Sequence, residues 1–203
     1  MPKRKSPSPR ISARQDRIRA EIIAVARRLL TTGSVAQFTL DGVADTLGVT
    51  KPAIYHYFGS REALISAAMT HGFIEHGQVL AAAARDAEDG PAVLRKLIAA
   101  FVNHYRHRLE DFRLDFAWTQ IHGNRTAVRT SILPIMNDLV GEVAEKLRRG
   151  TPGMTHKRAR RICMVAWTTG IGLLSALSIT DASQTQIVHS TDALLREITA
   201  LFD

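Results

Sequence analysis

The sequence predicts an all-α protein of about nine helices, and three observations carry that prediction. Apolar residues recur three and four positions apart in one segment after another, the period of a helix with one buried side. No segment shows the strict polar–apolar alternation of a half-buried strand. Clusters of Gly, Pro, Ser and Asn separate the periodic runs, and no internal repeat of about 20 to 50 residues recurs. The chain has 203 residues, 45% of them apolar, enough for one moderate domain or two small ones.

Residues 1–11 read as a disordered basic arm. The first helix spans Arg14 to Leu30, with Ile18, Ile22, Val25, Ala26 and Leu29 at i, i+4, i+7, i+8 and i+11. Thr32, Gly33 and Ser34 end it. Thr39 then caps a short helix with Asp41 in its electropositive first turn, and Val43, Ala44 and Leu47 give that helix its buried side. Gly48 follows where a left-handed backbone costs least, with Val49 plugging the turn. Thr50 offers a new N-cap, and Pro52 falls in a first turn whose N–H groups have no helical partner. Ile54 and Phe58, four apart, point back into the core.

Ser60 opens a long helix that reaches about Arg85, and after a loop Pro91 suits the first turn of the next. There Leu94, Leu97, Ile98, Phe101, Val102 and Tyr105 line one face. A shorter helix from Leu109 to Ile121 is rich in aromatics, and Gly123 and Asn124 break it. The following helix carries Ile132, Ile135, Met136, Leu139, Val140, Val143 and Leu147, with Pro134 either in its first turn or kinking it. Gly150 to Gly153 is a turn. Thr155 caps a helix through about Leu177, and Ser183 or Gln184 starts the last helix, which reaches Leu201.

The net charge of +8 is unevenly placed. Residues 1–64 hold 11 Lys or Arg against 5 Asp or Glu, and residues 65–203 hold 16 against 14. That asymmetry fits a basic, DNA-facing module on a near-neutral body; a uniformly basic chain would point to RNA or a membrane surface. The single cysteine, Cys163, excludes an intramolecular disulfide and points to a reducing cytoplasm. The opening MPKRKSPSPR is basic but has no apolar core segment, so it is not a signal peptide. Residues 162–179 are uncharged for 18 positions. A membrane span needs about 20 strongly apolar residues. The hydroxyls and two glycines of this segment suit better a helix buried on two sides, against its own domain and a partner subunit.

The second short helix places Lys51, Pro52, Ala53, Tyr55, His56 and Tyr57 on its outside. Small, basic and aromatic side chains suit a DNA groove far better than a solvated face, so the pair of helices reads as a helix-turn-helix. Helix–Gly–helix punctuation alone is common in all-α proteins. Here the outer face, the local basic charge and a helix start at Ser60 and Arg61 where a phosphate can meet N–H groups set it apart.

In order and spacing, Phe38-Thr39, Val43-Ala44, Leu47-Gly48-Val49-Thr50, Ile54-Tyr55-His56-Tyr57-Phe58 and Ser60-Arg61-Glu62-Ala63-Leu64 resemble the signature of TetR-family transcriptional regulators. The match covers roughly residues 14–66; the remainder agrees in helix count and length alone. The resemblance implies a DNA-binding domain at 12–66 and a ligand-binding and dimerisation domain at 67–203. It puts Lys51, Pro52, Ala53 and Tyr55 at base-reading positions, Lys51 donating to guanine and Pro52 and Ala53 touching thymine methyls. It puts Thr39, Thr50, His56, Tyr57 and Arg61 at phosphates. Gly42 departs from the family pattern, which favours a better helix former, at a cost of about 1 kcal/mol. Lys3, Arg4, Lys5 and Arg10 of the arm either follow the DNA or are merely solvated.

The resemblance also implies a homodimer through the last two helices, roughly His156 to Leu177 and Gln184 to Leu201, and with it a palindromic operator. Gly170, Gly172 and Ala176 would let the paired backbones approach. It further implies a repressor released when a small hydrophobic or aromatic effector enters the central helices, moves the long fourth helix and spreads the reading heads. The candidate contacts are Phe101, Tyr105, Phe112, Phe116, Trp118, His122, Met136 and Trp167, with His104, His122 and Thr168 as polar handles. The rival reading is a constitutive DNA-binding or architectural protein whose C-terminal domain only dimerises or binds protein partners.

Enzyme chemistry finds no support in the sequence, which has no GxSxG, HExxH, P-loop or dinucleotide fingerprint. His104 and His107, and His71 and His76, lack a cysteine or carboxylate at matching ligand spacing. No catalytic residue, cofactor or metal is expected.

Overall fold

The computed structural model describes residues 9–33, 35–120, 125–183 and 189–202. Nine helices of eight or more residues occur among them: α1 (Pro9–Thr32), α2 (Leu40–Leu47), α3 (Lys51–Phe58), α4 (Arg61–Arg85), α5 (Ala92–Tyr105), α6 (Leu109–Gln120), α7 (Leu133–Arg149), α8 (His156–Ala182) and α9 (Thr191–Ala200). A single α-turn at Arg125–Ala127 and a π-helical turn at Val128–Ile132 lead into α7. No strand occurs among the described residues, and the chain is all-α as expected. Two compact units divide after His71, inside α4.

In the first unit, Ile22, Ala26 and Leu30 form the buried stripe of α1. Phe38, Leu40, Val43 and Ala44 supply the buried side of α2, and Ile54 and Phe58 that of α3. The first helix begins at Pro9 rather than Arg14, because proline is well placed in a first turn, where its missing N–H costs nothing. Residues 1–8 of the expected arm lie outside the described residues.

The second unit is built around α5, whose Val93, Leu94, Leu97, Ile98, Phe101, Val102 and Tyr105 are all buried. Leu139, Val143, Ala144 and Leu147 of α7 close on it, as do Cys163, Ala166, Leu173 and Leu174 of α8. The loop after α4 crosses the end of α7 so tightly that a Cβ on Gly150 would lie 2.2 Å from the Gly90 nitrogen. Gly90 N–H donates to the Lys146 carbonyl at 2.9 Å, and Lys146 Nζ donates back to Arg85 and Ala87 carbonyls at 2.8 and 2.9 Å.

Two helix boundaries near the C-terminus differ from the sequence reading, and the choice it leaves open at Pro134 is resolved. Pro134 lies in the first turn of α7, not in a kink within it. α8 continues to Ala182, with Ser183 as its C-cap; its N–H donates to the Ile179 carbonyl at 2.9 Å. The last helix therefore does not begin at Ser183. It begins at Thr191, capped by Ser190, whose hydroxyl accepts the Ala193 N–H at 3.2 Å, while Gln184 lies outside the described residues. By length and composition α8 is long and apolar enough to cross a membrane. One of its faces is a core element against α5, α6 and α7.

Candidate DNA interface and effector cavity

Local rules aim the reading helix. Thr39 has extended backbone, and its hydroxyl accepts the Gly42 N–H at 3.1 Å. A Cβ at Gly42 would sit 3.3 Å from that hydroxyl oxygen, so the glycine lets the first turn of α2 close on its cap. Gly48 has φ +66° and Gly59 φ +73°, and nothing lies within 4 Å of a Cβ built on either. Both are required by backbone conformation, one at each end of α3. The Ser60 hydroxyl accepts the Ala63 N–H at 3.0 Å and caps α4. Two features depart from expectation. Thr50 stands at the N-cap of α3, but its hydroxyl makes no capping bond. Val49 does not plug the turn: its side chain is 43% exposed, and it is its N–H, donating to the Ala44 carbonyl at 3.0 Å, that closes the turn.

Two arginines brace this unit from a distance. Arg19 lies over the Phe58 ring at 4.3 Å and donates to the Tyr57 carbonyl at 2.9 Å, tying the end of α3 to α1. Arg61 donates to the Phe38 carbonyl at 2.8 Å and to the Val35 carbonyl, and lies over the Phe38 ring. Its guanidinium therefore holds the start of α4 on the segment before α2.

Lys51, Pro52, Tyr55 and His56 are exposed, and Ala53 and Tyr57 are half-buried. Tyr55 is 45% exposed, a large area of aromatic surface on one short helix. The Tyr57 ring meets the His56 ring edge-on at 5.5 Å. Lys51 Nζ lies 2.8 Å from Asp41, and that hydrogen bond raises the lysine pKa above its ordinary value. The pair is open to water and screened by it, so it contributes little to stability and is easily exchanged for another partner.

The second unit contains a cavity of ≈ 260 Å³. Six of the eight sequence candidates line it: Phe101, Tyr105, Phe112, Phe116, Met136 and Trp167. Phe101 stacks on Trp167 at 4.6 Å between ring centroids, and Phe112 on Phe116 at 5.8 Å. A Cβ on Gly170 would come within 2.7 Å of Phe101 Cδ1, so this glycine gives the Phe101 ring its place within the subunit. That use, not a close approach of paired backbones, accounts for Gly170. Trp118 does not reach the cavity; it is buried beside Phe73, with ring centroids 6.4 Å apart. His122 lies outside the described residues.

The polar handles differ from those expected. Thr168 is exposed and bonded to its own helix, and His104 is held by Arg108 at 3.0 Å; neither lines the cavity. His76 and Asp115 do. His76 is 2% exposed, and burial first, then the nearby His104, push its pKa down to about 3. The ring is neutral, and its Nδ1 has no hydrogen-bond partner. Asp115 is 3% exposed and accepts the Tyr105 hydroxyl at 2.9 Å. The signal for both was present in the spacing. Asp115 falls between Phe112, Phe116 and Thr119 at i+3, i+4 and i+7, and His76 between Phe73 and Leu80. A polar residue in an apolar stripe marks a site as well as a register break.

Among the described residues, one face of α8 is left exposed. Arg161, Met164, Val165, Thr168, Gly172, Ala176 and Ile179 fall on that face and are all exposed, Val165 at 56% and Ile179 at 68%.

The capped helices α2 and α3, joined at a left-handed glycine and carrying an exposed basic and aromatic face, form a helix-turn-helix, the class of motif used by DNA-binding regulators. Residues 22–68 match the family of bacterial regulatory proteins described as the tetR family. The chain is similar to the HTH-type transcriptional regulator EthR of Mycolicibacterium smegmatis, 40% identical over 63 residues. That match spans 30% of this chain and 29% of EthR, less than a third of the relative's length. A longer match, 26% identical over 167 residues, joins 75% of this chain to 77% of the HTH-type transcriptional regulator TtgR of Pseudomonas putida. Among solved structures, the transcriptional regulator FadR from Bacillus subtilis in complex with stearoyl-CoA shares the fold at a TM-score of 0.67. It is 14% identical, over 90% of this chain and 96% of that one. The tetR-family match covers 47 of the 203 residues, 22–68, and falls on the unit that holds the helix-turn-helix, and the TtgR match extends the likeness to transcriptional regulators over three quarters of the chain.

Proposed function

We propose that this protein is a cytoplasmic homodimeric repressor, bound to a palindromic operator and released from it when a small, mainly apolar or aromatic effector fills the cavity of the second unit. The observation that carries this reading is the cavity itself, where stacked aromatic pairs surround two buried polar side chains. α4 supports the link to DNA: it opens at the end of the helix-turn-helix, and its His76 and Phe73 form part of the cavity wall. An effector touching His76 thus touches the same helix that begins beside the reading head. The uncovered stripe of α8 supports the dimer.

On DNA, Lys51, Pro52, Ala53 and Tyr55 read bases in the major groove. Thr39, Thr50, His56 and Tyr57 meet phosphates, with Arg61 giving whatever donors its two carbonyls leave. The deciding experiment is selection of bound duplexes from a random pool at two salt concentrations. A palindrome with half-sites about one helical turn apart is expected. Enrichment without a motif, with affinity collapsing steeply in salt, would reduce the protein to a non-specific binder. On the selected operator, Lys51→Ala and Tyr55→Ala should each weaken binding about 10- to 100-fold while leaving the dimer intact. An effector should lower operator affinity at least about tenfold, or 1.4 kcal/mol of coupling. If no ligand of the cavity changes operator affinity, the constitutive reading stands instead.

A further inference from the structure

We propose that Asp41 is a specificity residue which, paired with Lys51, reads one G·C base pair: Lys51 donates to the guanine while Asp41 accepts from the cytosine amino group. This rests on α3 being the helix that enters the major groove. Asp41 stands in the first turn of α2 and Lys51 opens α3, and Lys51 Nζ donates to Asp41 Oδ2 at 2.8 Å. That bond is the only one either side chain makes among the described residues. The lysine keeps two N–H groups and the carboxylate its other oxygen. The two side chains are 44% and 60% exposed, so both can turn to a partner outside the chain.

The spacing fits a base pair. Lys51 and Asp41 present a donor and an acceptor 2.8 Å apart. In a G·C pair the guanine O6 accepts from the cytosine N4, so the acceptor and donor on its major-groove edge are also about 2.9 Å apart. Laid edge to edge, the two pairs close a ring of four hydrogen-bonding groups, and guanine N7 gives the lysine a second acceptor. An A·T pair offers thymine O4 and adenine N6 at the same spacing. There, however, adenine N7 lies against the carboxylate, and the thymine methyl stands where the lysine would find its second acceptor.

Charge sharpens the choice. A lysine alone at an exposed helix start meets any phosphate, a contact without sequence content. Asp41 repels phosphate oxygens, and on DNA its charge is offset only where a base amino group meets it. The acid thus acts against wrong partners, the repulsive element that specificity often needs beside an attractive one.

The test takes the full-length protein and the selected operator, with each base pair of a half-site changed in turn for the wild type, Lys51→Ala and Asp41→Ala. Changing one G·C pair to A·T should weaken wild-type binding about 5- to 100-fold, and both variants should lose most of that ratio at the same pair. On a duplex of equal length without the site, Asp41→Ala should bind about threefold tighter than the wild type, with a log–log salt slope steeper by about one. A variant that had merely lost its fold would bind both duplexes worse. Should Asp41→Ala fail to fold, N4-methylcytosine at the pair that Lys51→Ala identifies decides in the wild type. Its methyl replaces the amino proton that faces the groove and leaves the guanine untouched. Binding weakened about fivefold supports the reading, and unchanged binding overturns it. Full G·C preference in Asp41→Ala at the pair Lys51 reads overturns the role of Asp41 alone. If Lys51→Ala loses preference at no position, this inference falls and the regulator reading stands. Failure to select any palindrome overturns both.

Discussion

His76 and Asp115 are single polar residues in otherwise apolar helical stripes, and each is set by what packs against it. For His76 the consequence is measurable as a pH dependence of stability. Its pKa is about 3 in the folded protein against an ordinary 6.5, so between those values the unfolded chain binds one proton more than the folded one. Its contribution is complete above the unfolded value and is lost as the pH falls below 6.5 towards 3. The slope is about 1.4 kcal/mol per pH unit, or about 2 kcal/mol between pH 6.5 and 5. Urea midpoints at pH 7 and 5 should show this loss in the wild type. His76→Gln, although less stable at both pH values, should lack most of it. An undiminished loss in the variant would assign the acid sensitivity to other groups. Cys163 illustrates the opposite sign of the same effect: burial pushes its thiol up to about 11, so the cysteine is a packing residue and no thiolate.

The elements most legible in the sequence are those that local rules specify. α2 and α3 follow from a threonine cap, a left-handed glycine and inward residues four apart, none of which needs a distant partner. That makes a sharp prediction at the turn. Gly48→Ala should cost about 1 to 2 kcal/mol, because a Cβ meets no atom there and the whole penalty is the left-handed backbone. Gly48→Asn should cost clearly less, since asparagine tolerates that conformation. Equal losses in thermal melts of the two variants would place the glycine's role elsewhere. What stayed illegible depended on partners far along the chain. Arg19 meets the Tyr57 carbonyl across 38 residues, and Val49 is turned to solvent because no neighbouring element covers it. α4 hid two cavity residues because Gly72 and Gly77, both buried, flank Phe73 and His76 and interrupt the run of large apolar side chains between Met69 and Leu80. Before α7, Pro134 cannot donate to the Thr130 carbonyl, and the chain there is π-helical, which no apolar period reveals. Five aromatic cavity residues and Met136 were legible because large apolar side chains at helical spacing pack together; Trp118 obeyed the same rule and faced Phe73 instead.

For the whole molecule the open question is what covers α8. Its stripe of Met164, Val165, Thr168, Gly172, Ala176 and Ile179 is apolar or small along its length, and Gly172 has nothing within 4 Å of a built Cβ. A contiguous exposed apolar face of this kind marks an interface, and a closed two-fold pairing is the commonest way to bury one. If the stripe pairs with its own copy, Val165→Glu together with Ile179→Glu brings four carboxylates into one dimer interface. Each unpaired buried charge costs several kcal/mol, so the dimer dissociation constant should rise by about a thousandfold or more. Sedimentation should show a dimer for the wild type and a monomer for the double variant at the same micromolar concentration. Far-UV circular dichroism should be unchanged, because both side chains are exposed in the single chain. Operator affinity should fall with dimerisation, since a monomer meets one half-site at a time. A double variant that remains a dimer would show that the subunits associate elsewhere and that this stripe of α8 serves another partner.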